Sequence, residues 1–87
     1  MSRWHVATTT QFVRELKRCD KPVQARLIAY LAKVAELDDP RARGRALTGE
    51  HAGLWRYRVG DYRIVVKIID AQITVLTLHV AHRSVVY

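Results

Sequence analysis

The spacing of apolar positions changes about half-way along the chain. Val23, Leu27, Tyr30, Leu31, Val34 and Leu37 recur at intervals of three and four, which lays an apolar stripe along one side of a helix. Asp20 with Pro22 gives that helix a start signal, and Pro40 lies just beyond its end. Upstream, Phe12, Val13 and Leu16 give a shorter helix an apolar face. Thr8, Thr9 and Thr10 offer it capping oxygens, and Gln11 follows Thr8 by three residues, as in a capping box. Trp4 to Ala7 reads as a short strand. Beyond Gly44 the pattern alternates, and Leu54 to Val59, Tyr62 to Ile69 and Ile73 to Ala81 predict three more strands. The break Asp38-Asp39-Pro40-Arg41-Ala42-Arg43-Gly44 reads as a loop inside one domain, residues 1–87, because neither half could bury a core alone. The expected order is β-α-α-β-β-β. This is an α+β domain with two helices packed on one face of a small, largely antiparallel four-stranded sheet.

Register follows from the turns. Gly60-Asp61 has glycine at the first of two turn positions, the signature of a type II′ hairpin. It pairs Val59 with Tyr62, Arg58 with Arg63 and Arg56 with Val65. Side chains alternate between faces, so Trp55, Tyr57, Val59, Tyr62, Ile64, Val66 and Ile68 form an apolar face. Arg56, Arg58, Arg63 and Lys67 take the other. A three-residue loop, Asp70 to Gln72, continues the apolar face through Leu76, Leu78 and Val80, pairing Ile69 with Ile73 and Ile64 with Leu78. A two-residue loop would turn Thr77 and His79 into the core and is rejected. The preferred register sets His79 opposite Arg63, with Arg83 further along. Tyr87 has the same parity if the tail stays extended.

Charge sharpens this picture. Fifteen lysines and arginines face eight acids, a formal charge of +7, and eleven of the fifteen are arginine, whose planar fork grips phosphate. No acid is interleaved among Arg56, Arg58, Arg63, His79 and Arg83 on their face of the sheet. Like charges directly opposite are destabilising, so Arg58 against Arg63 suits an anion-binding surface and a nucleic-acid partner. A single cysteine, Cys19, excludes a disulfide framework within the chain and fits a reducing compartment. No apolar run approaches the ~20 residues of a membrane span, and Met-Ser-Arg-Trp-His-Val lacks a signal-peptide core; a cytoplasmic domain is expected. There is no P-loop, dinucleotide fingerprint or HExxH. His79 and His82 face opposite ways on a strand without a carboxylate, so neither metal nor cofactor is expected. His5 and His51 read as surface residues and His82 as packed or hydrogen-bonded. Trp55, Tyr57 and Tyr62 read as packing.

The string Gly53-Leu54-Trp55-Arg56-Tyr57-Arg58-Val59-Gly60-Asp61-Tyr62-Arg63-Ile64-Val65, closed by Ala81-His82-Arg83-Ser84-Val85-Val86-Tyr87, resembles the RelE/ParE superfamily of bacterial toxins over nearly the whole chain. The closing His-Arg-Ser-Val-Val-Tyr resembles the RelE branch, which are ribosome-dependent endoribonucleases that cut messenger RNA in the ribosomal A site. The ParE branch shares the fold, poisons DNA gyrase and lacks the catalytic set. By this resemblance Arg63, Arg83 and Tyr87 match family catalytic positions. Arg56 and Arg58 fall where the family often carries a basic pair, commonly lysines. Arg45 stands near the position of a glutamate base in some relatives, and Glu50 is not aligned with it. The resemblance also implies a RelB-like cognate antitoxin.

Metal-free RNA cleavage uses the ribose 2′-hydroxyl as nucleophile, and needs a base, charge stabilisation on the phosphorane and an acid for the leaving oxygen. Arg63 and Arg83 are the expected phosphate clamp. Arg56, Arg58, Lys67 and Arg45 are expected to position RNA and ribosome. Arginine does not deprotonate usefully, so Tyr87 and His79 are the proton carriers on this face, and the base stays open between them. A ParE-like gyrase inhibitor and a plain nucleic-acid-binding module are the competing classes.

Overall fold

The computed structural model describes residues 3–84. Strand β1 (His5–Thr8) leads into helices α1 (Thr10–Lys17) and α2 (Lys21–Ala35). A 3-10 turn at Pro40–Arg43 precedes the two-residue strand β2 (Arg45–Ala46). Strands β3 (Trp55–Val59), β4 (Tyr62–Ile69) and β5 (Thr74–His82) follow. The sheet order is β1-β5-β4-β3-β2.

The α+β class and the two helices follow the sequence, but among the described residues the sheet has five strands, not four. Arg45–Ala46 pairs with β3 as the additional strand, and β1 runs parallel to β5, so the sheet is mixed. Two residues are too few to show alternation, which is why the sequence conceals β2.

Helix α1 is capped by Thr9, whose Oγ1 accepts from the Phe12 amide at 3.1 Å. The expected box between Thr8 and Gln11 does not form, because Thr8 still pairs in β1 with Thr77. Helix α2 starts at the Asp20 cap with Pro22 in its first turn. Its stripe buries Leu27, Leu31 and Val34 against Phe12, Tyr57, Ile64, Val66, Val75 and Val80.

The Gly60-Asp61 hairpin has the expected register, including Arg58 opposite Arg63. Gly60 adopts φ +58°, and Asp61 does not share the left-handed region, as a type II′ turn requires. The following hairpin differs from expectation. Ile69 pairs with Thr74 rather than Ile73, because Ile73 is drawn into the loop at φ 48°. That slip sets Val75 and Thr77 on the core face, both fully buried. A shift between Val65 and Val66 then leaves Leu78 unpaired, and Val65 meets His79 while Ile64 meets Val80. Leu76 and Leu78 are therefore not the core residues, and Ile64 does not pair with Leu78. The polar objection to burying Thr77 is met by its Oγ1, which donates to the Ala7 carbonyl at 2.7 Å.

Candidate nucleic-acid interface

The β-bulge at Leu78 decides which residues share the exposed sheet face. An extra residue in one strand reverses the phase of everything after it. Before the bulge, odd-numbered residues of β5 enter the core; after it, His79 and Ala81 turn to the face of Arg56, Arg58 and Arg63. One row of partners across the sheet reads Arg45, Arg56, Val65, His79, and the next reads Arg58, Arg63, Ala81. His79 thus shares the arginine face as expected, but opposite Val65. The small Ala81 stands opposite Arg63 instead. Val65 is only 4% exposed although it lies on this outer side. It sits between half-buried Arg56 and His79, whose stems can shield it while their polar ends reach water.

Among the described residues, Arg45, Arg56, Arg58, Arg63 and Lys67 form no ion pair. Two cross-strand like-charge pairs, Arg45–Arg56 and Arg58–Arg63, stand side by side. Arg43, Gly44 and Arg45 line a groove with Ala42, Arg56 and Arg58, an open volume of about 380 Å³. The groove wall is fixed from beneath. The buried Tyr57 hydroxyl donates to the Pro40 carbonyl at 2.6 Å, and a Cβ on Gly44 would meet the Tyr57 ring at 3.1 Å. Burial pushes the Tyr57 phenol well above its ordinary pKa, with Tyr30 and Asp39 adding to the effect. On the far side of the same loop, Arg41 bridges Asp39 and Asp70, its Nη2 lying 2.6 Å from Asp70 Oδ2. That hydrogen bond holds the Asp70 carboxyl below its usual range.

At the other end, the exposed Arg83 is tied to the hairpin turn. Its amide donates to the Asp61 carbonyl at 2.7 Å, and its Nε lies 3.6 Å from Asp61 Oδ1. His82 packs edge-on against Tyr62, with ring centroids 5.3 Å apart, and its Nδ1 lies 2.9 Å from Ser84 Oγ. Tyr87 lies outside the described residues.

Residues 6–87 match the family model for the ParE toxin of the type II toxin–antitoxin system. The chain belongs to the RelE/ParE toxin superfamily. It is 33% identical over 84 residues to a Mycobacterium tuberculosis protein named toxin RelE, covering 97% of this chain and 86% of that one. It is 32% identical over 82 residues to toxin RelG of the same organism, covering 91% and 94%. Its fold superimposes on a chain of the toxin–antitoxin complex RelBE2 from M. tuberculosis with a TM-score of 0.87 at 29% identity, over 98% of this chain and 97% of that one. This protein is accordingly a toxin of the type II class.

The structure brings together Arg45, Arg56, Arg58, Arg63 and His79 in adjacent rows, while Lys67 stands further along β4, beyond the bulge. Sequence reasoning missed three neighbours. Arg43 was hidden in the loop. Asp61 reads from the sequence only as a turn residue. Glu15 is a lone acid between basic residues on α1, and no local pattern marks it. Among the described residues, no group of three metal-ligating side chains forms, and no helix is long and apolar enough to cross a membrane.

Proposed function

We propose that this toxin is a cytoplasmic, metal-independent endoribonuclease of the RelE type that cleaves messenger RNA in the ribosomal A site. The observation that carries the reading is the acid-free double row of arginines, Arg45–Arg56 beside Arg58–Arg63. Cross-strand like charge costs stability, and a polyphosphate ligand reverses that cost. The resemblance of this chain to proteins named toxin RelE and toxin RelG supports the RelE branch.

In this reading Arg43, Arg45, Arg56 and Arg58 track the RNA backbone, with Lys67 contributing charge at the margin. Arg63 and Arg83 clamp the scissile phosphate and neutralise the oxygens that gain charge in the phosphorane. The 2′-hydroxyl loses its proton to a base, attacks the adjacent phosphorus in line and expels the 5′-oxygen, which takes a proton from an acid. The products are a 2′,3′-cyclic phosphate and a 5′-hydroxyl. Tyr87 and His79 are the proton carriers. A RelB-like antitoxin is the regulatory partner, as suggested by the toxin–antitoxin complex whose toxin fold matches this one, and the arginine face is the surface it must neutralise.

The name of the matching family model keeps the ParE-type reading, a non-catalytic gyrase inhibitor, as the alternative. Primer-extension mapping on ribosome-bound message, run beside a gyrase cleavage assay, separates the two. Codon-specific A-site cuts that persist when zinc and manganese are chelated at fixed free magnesium support the proposal. Gyrase-linked DNA breaks without RNA cuts would replace it with the ParE reading, and neither activity would leave a binding module.

A further inference from the structure

On the premise that the arginine face is the RNA-cleaving site, we infer that Glu15 is a positioning residue that holds His79 in the tautomer needed for proton transfer. Three independent features meet at this point. Strand β1 pairs with β5 only as far as Thr8 and Thr77, so among the described residues no strand covers the outer edge of β5 beyond it. Thr9 closes part of that edge, its Oγ1 donating to the carbonyls of Thr77 and Leu78 at 3.0 and 3.2 Å. Glu15 closes the next part, its Oε1 accepting from the Val80 amide at 3.1 Å. The carboxylate is thereby pinned by main chain, not left free on a helix surface.

The same Oε1 lies 3.7 Å from His79 Nδ1. The bulge at Leu78 supplies the third feature. Without it, His79 would pair with Ile64 and enter the core; with it, His79 pairs with Val65 and turns to the arginine face. Bulges beside functional sites re-aim a side chain in this way. A carboxylate beside Nδ1 favours the tautomer protonated there, which leaves Nε2 as the ring's lone pair. Charged groups among the described residues flank the ring from two elements. Glu15 flanks it from α1, with Arg14 and Arg18 lining the adjoining groove. Arg63 is its diagonal neighbour on β4, and Arg56 lies across Val65 in the same row. Two thirds of the His79 side chain is buried, 35% remaining exposed, so the ring has a defined orientation. Glu15 acts through His79 and does not itself touch RNA.

Glu15→Gln is the informative variant, because the amide oxygen can still accept from the Val80 amide. Nitrogen-15 NMR of the free protein, read on the neutral imidazole, reports the His79 tautomer without any assay of activity. Steady-state cleavage of ribosome-bound message reports kcat and KM. We expect the wild-type ring to be protonated at Nδ1, and Glu15→Gln to shift it towards the other tautomer. We expect kcat to fall about 10²-fold with KM unchanged, and Glu15→Asp to restore part of both readouts. An unaltered tautomer in Glu15→Gln overturns the inference whatever the activity. A shifted tautomer with wild-type kcat overturns the role in catalysis while leaving the proposed function intact. No cleavage by the wild type overturns the function reading, and the NMR result alone then decides whether Glu15 orients the ring.

Discussion

Tyr57→Phe tests whether the groove of arginines is held from inside the core. The substitution removes one oxygen and keeps the ring that packs under Gly44 and beside Tyr30. Tyr57 and Pro40 are both fully buried, so water cannot replace the lost 2.6 Å hydrogen bond without opening the core. A buried carbonyl losing this donor costs about 1.5 kcal/mol. Unfolding entropy near the melting point is about 2.1 cal/mol/K per residue. For 87 residues this converts the loss into a fall in Tm of about 8 °C. The same bond anchors the segment that carries Arg43 and Arg45, so affinity for a short single-stranded RNA should weaken about 3- to 10-fold although no charge is removed. Alkaline pH gives an independent check. The folded phenol titrates above its unfolded value of about 10, so its contribution is complete below that value and is lost as pH rises through the folded pKa. The decline of Tm above pH ~10 should therefore be shallower in Tyr57→Phe than in the wild type. Calorimetry and fluorescence anisotropy at one salt concentration measure these effects. A Tm shift below about 2 °C, or weakened binding absent despite the full shift, would refute the argument.

The arginine face yields further expectations. Arg63→Ala and Arg83→Ala should each reduce cleavage about 10²-fold while changing stability by about 0.5 kcal/mol; early melting with normal cleavage once folded would make them structural. Arg58→Ala should lower the slope of log affinity against log salt by about 0.7 for single-stranded RNA, and an unchanged slope would remove Arg58 from the phosphate track. Tyr87→Phe, which keeps the ring, should slow cleavage about 10²-fold at saturating ribosomes. Wild-type rates would transfer the proton to His79 or to the ribosome.

The parts of this site that were readable beforehand are those fixed by short-range rules. Gly60-Asp61 admits one tight turn, and that turn alone dictates Arg58 against Arg63 and Arg56 against Val65. The helices were readable because their stripes and caps are local. What escaped was governed by contacts between distant segments. Strand β2 exists because Arg45 and Ala46 find β3 across the loop, not because two residues have a strand pattern. Thr77 reads from the sequence as too polar for the core, yet Ala7, seventy residues away, supplies its acceptor. Glu15 acquires meaning only when α1 reaches the open edge of β5. Arg43 becomes a groove residue only when Gly44 lets the backbone close on Tyr57.

The bulge shows how a wrong register can still place the right residue. Strict alternation offered two choices for β5: even residues inward, which exposes Thr77, or odd residues inward, which buries His79. The strand takes the odd choice up to Thr77 and the even choice from Val80, and Leu78 is the residue that makes the change. Deleting Leu78 is therefore a test with a definite outcome. The ladder on either side already pairs Val66 with Thr77 and Val65 with His79, so the shortened strand can run without interruption and keep His79 on the arginine face. The loss is a half-buried leucine and the carbonyl that accepts from Thr9 at 3.2 Å, together about 2 kcal/mol. NMR should show the cross-strand contacts of Val65 with His79 preserved in a folded protein. Contacts between His79 and Ile64 instead, or a chain that fails to fold while the milder Leu78→Ala folds normally, would mean that the bulge is required by the sheet's curvature and does not set the phase of β5.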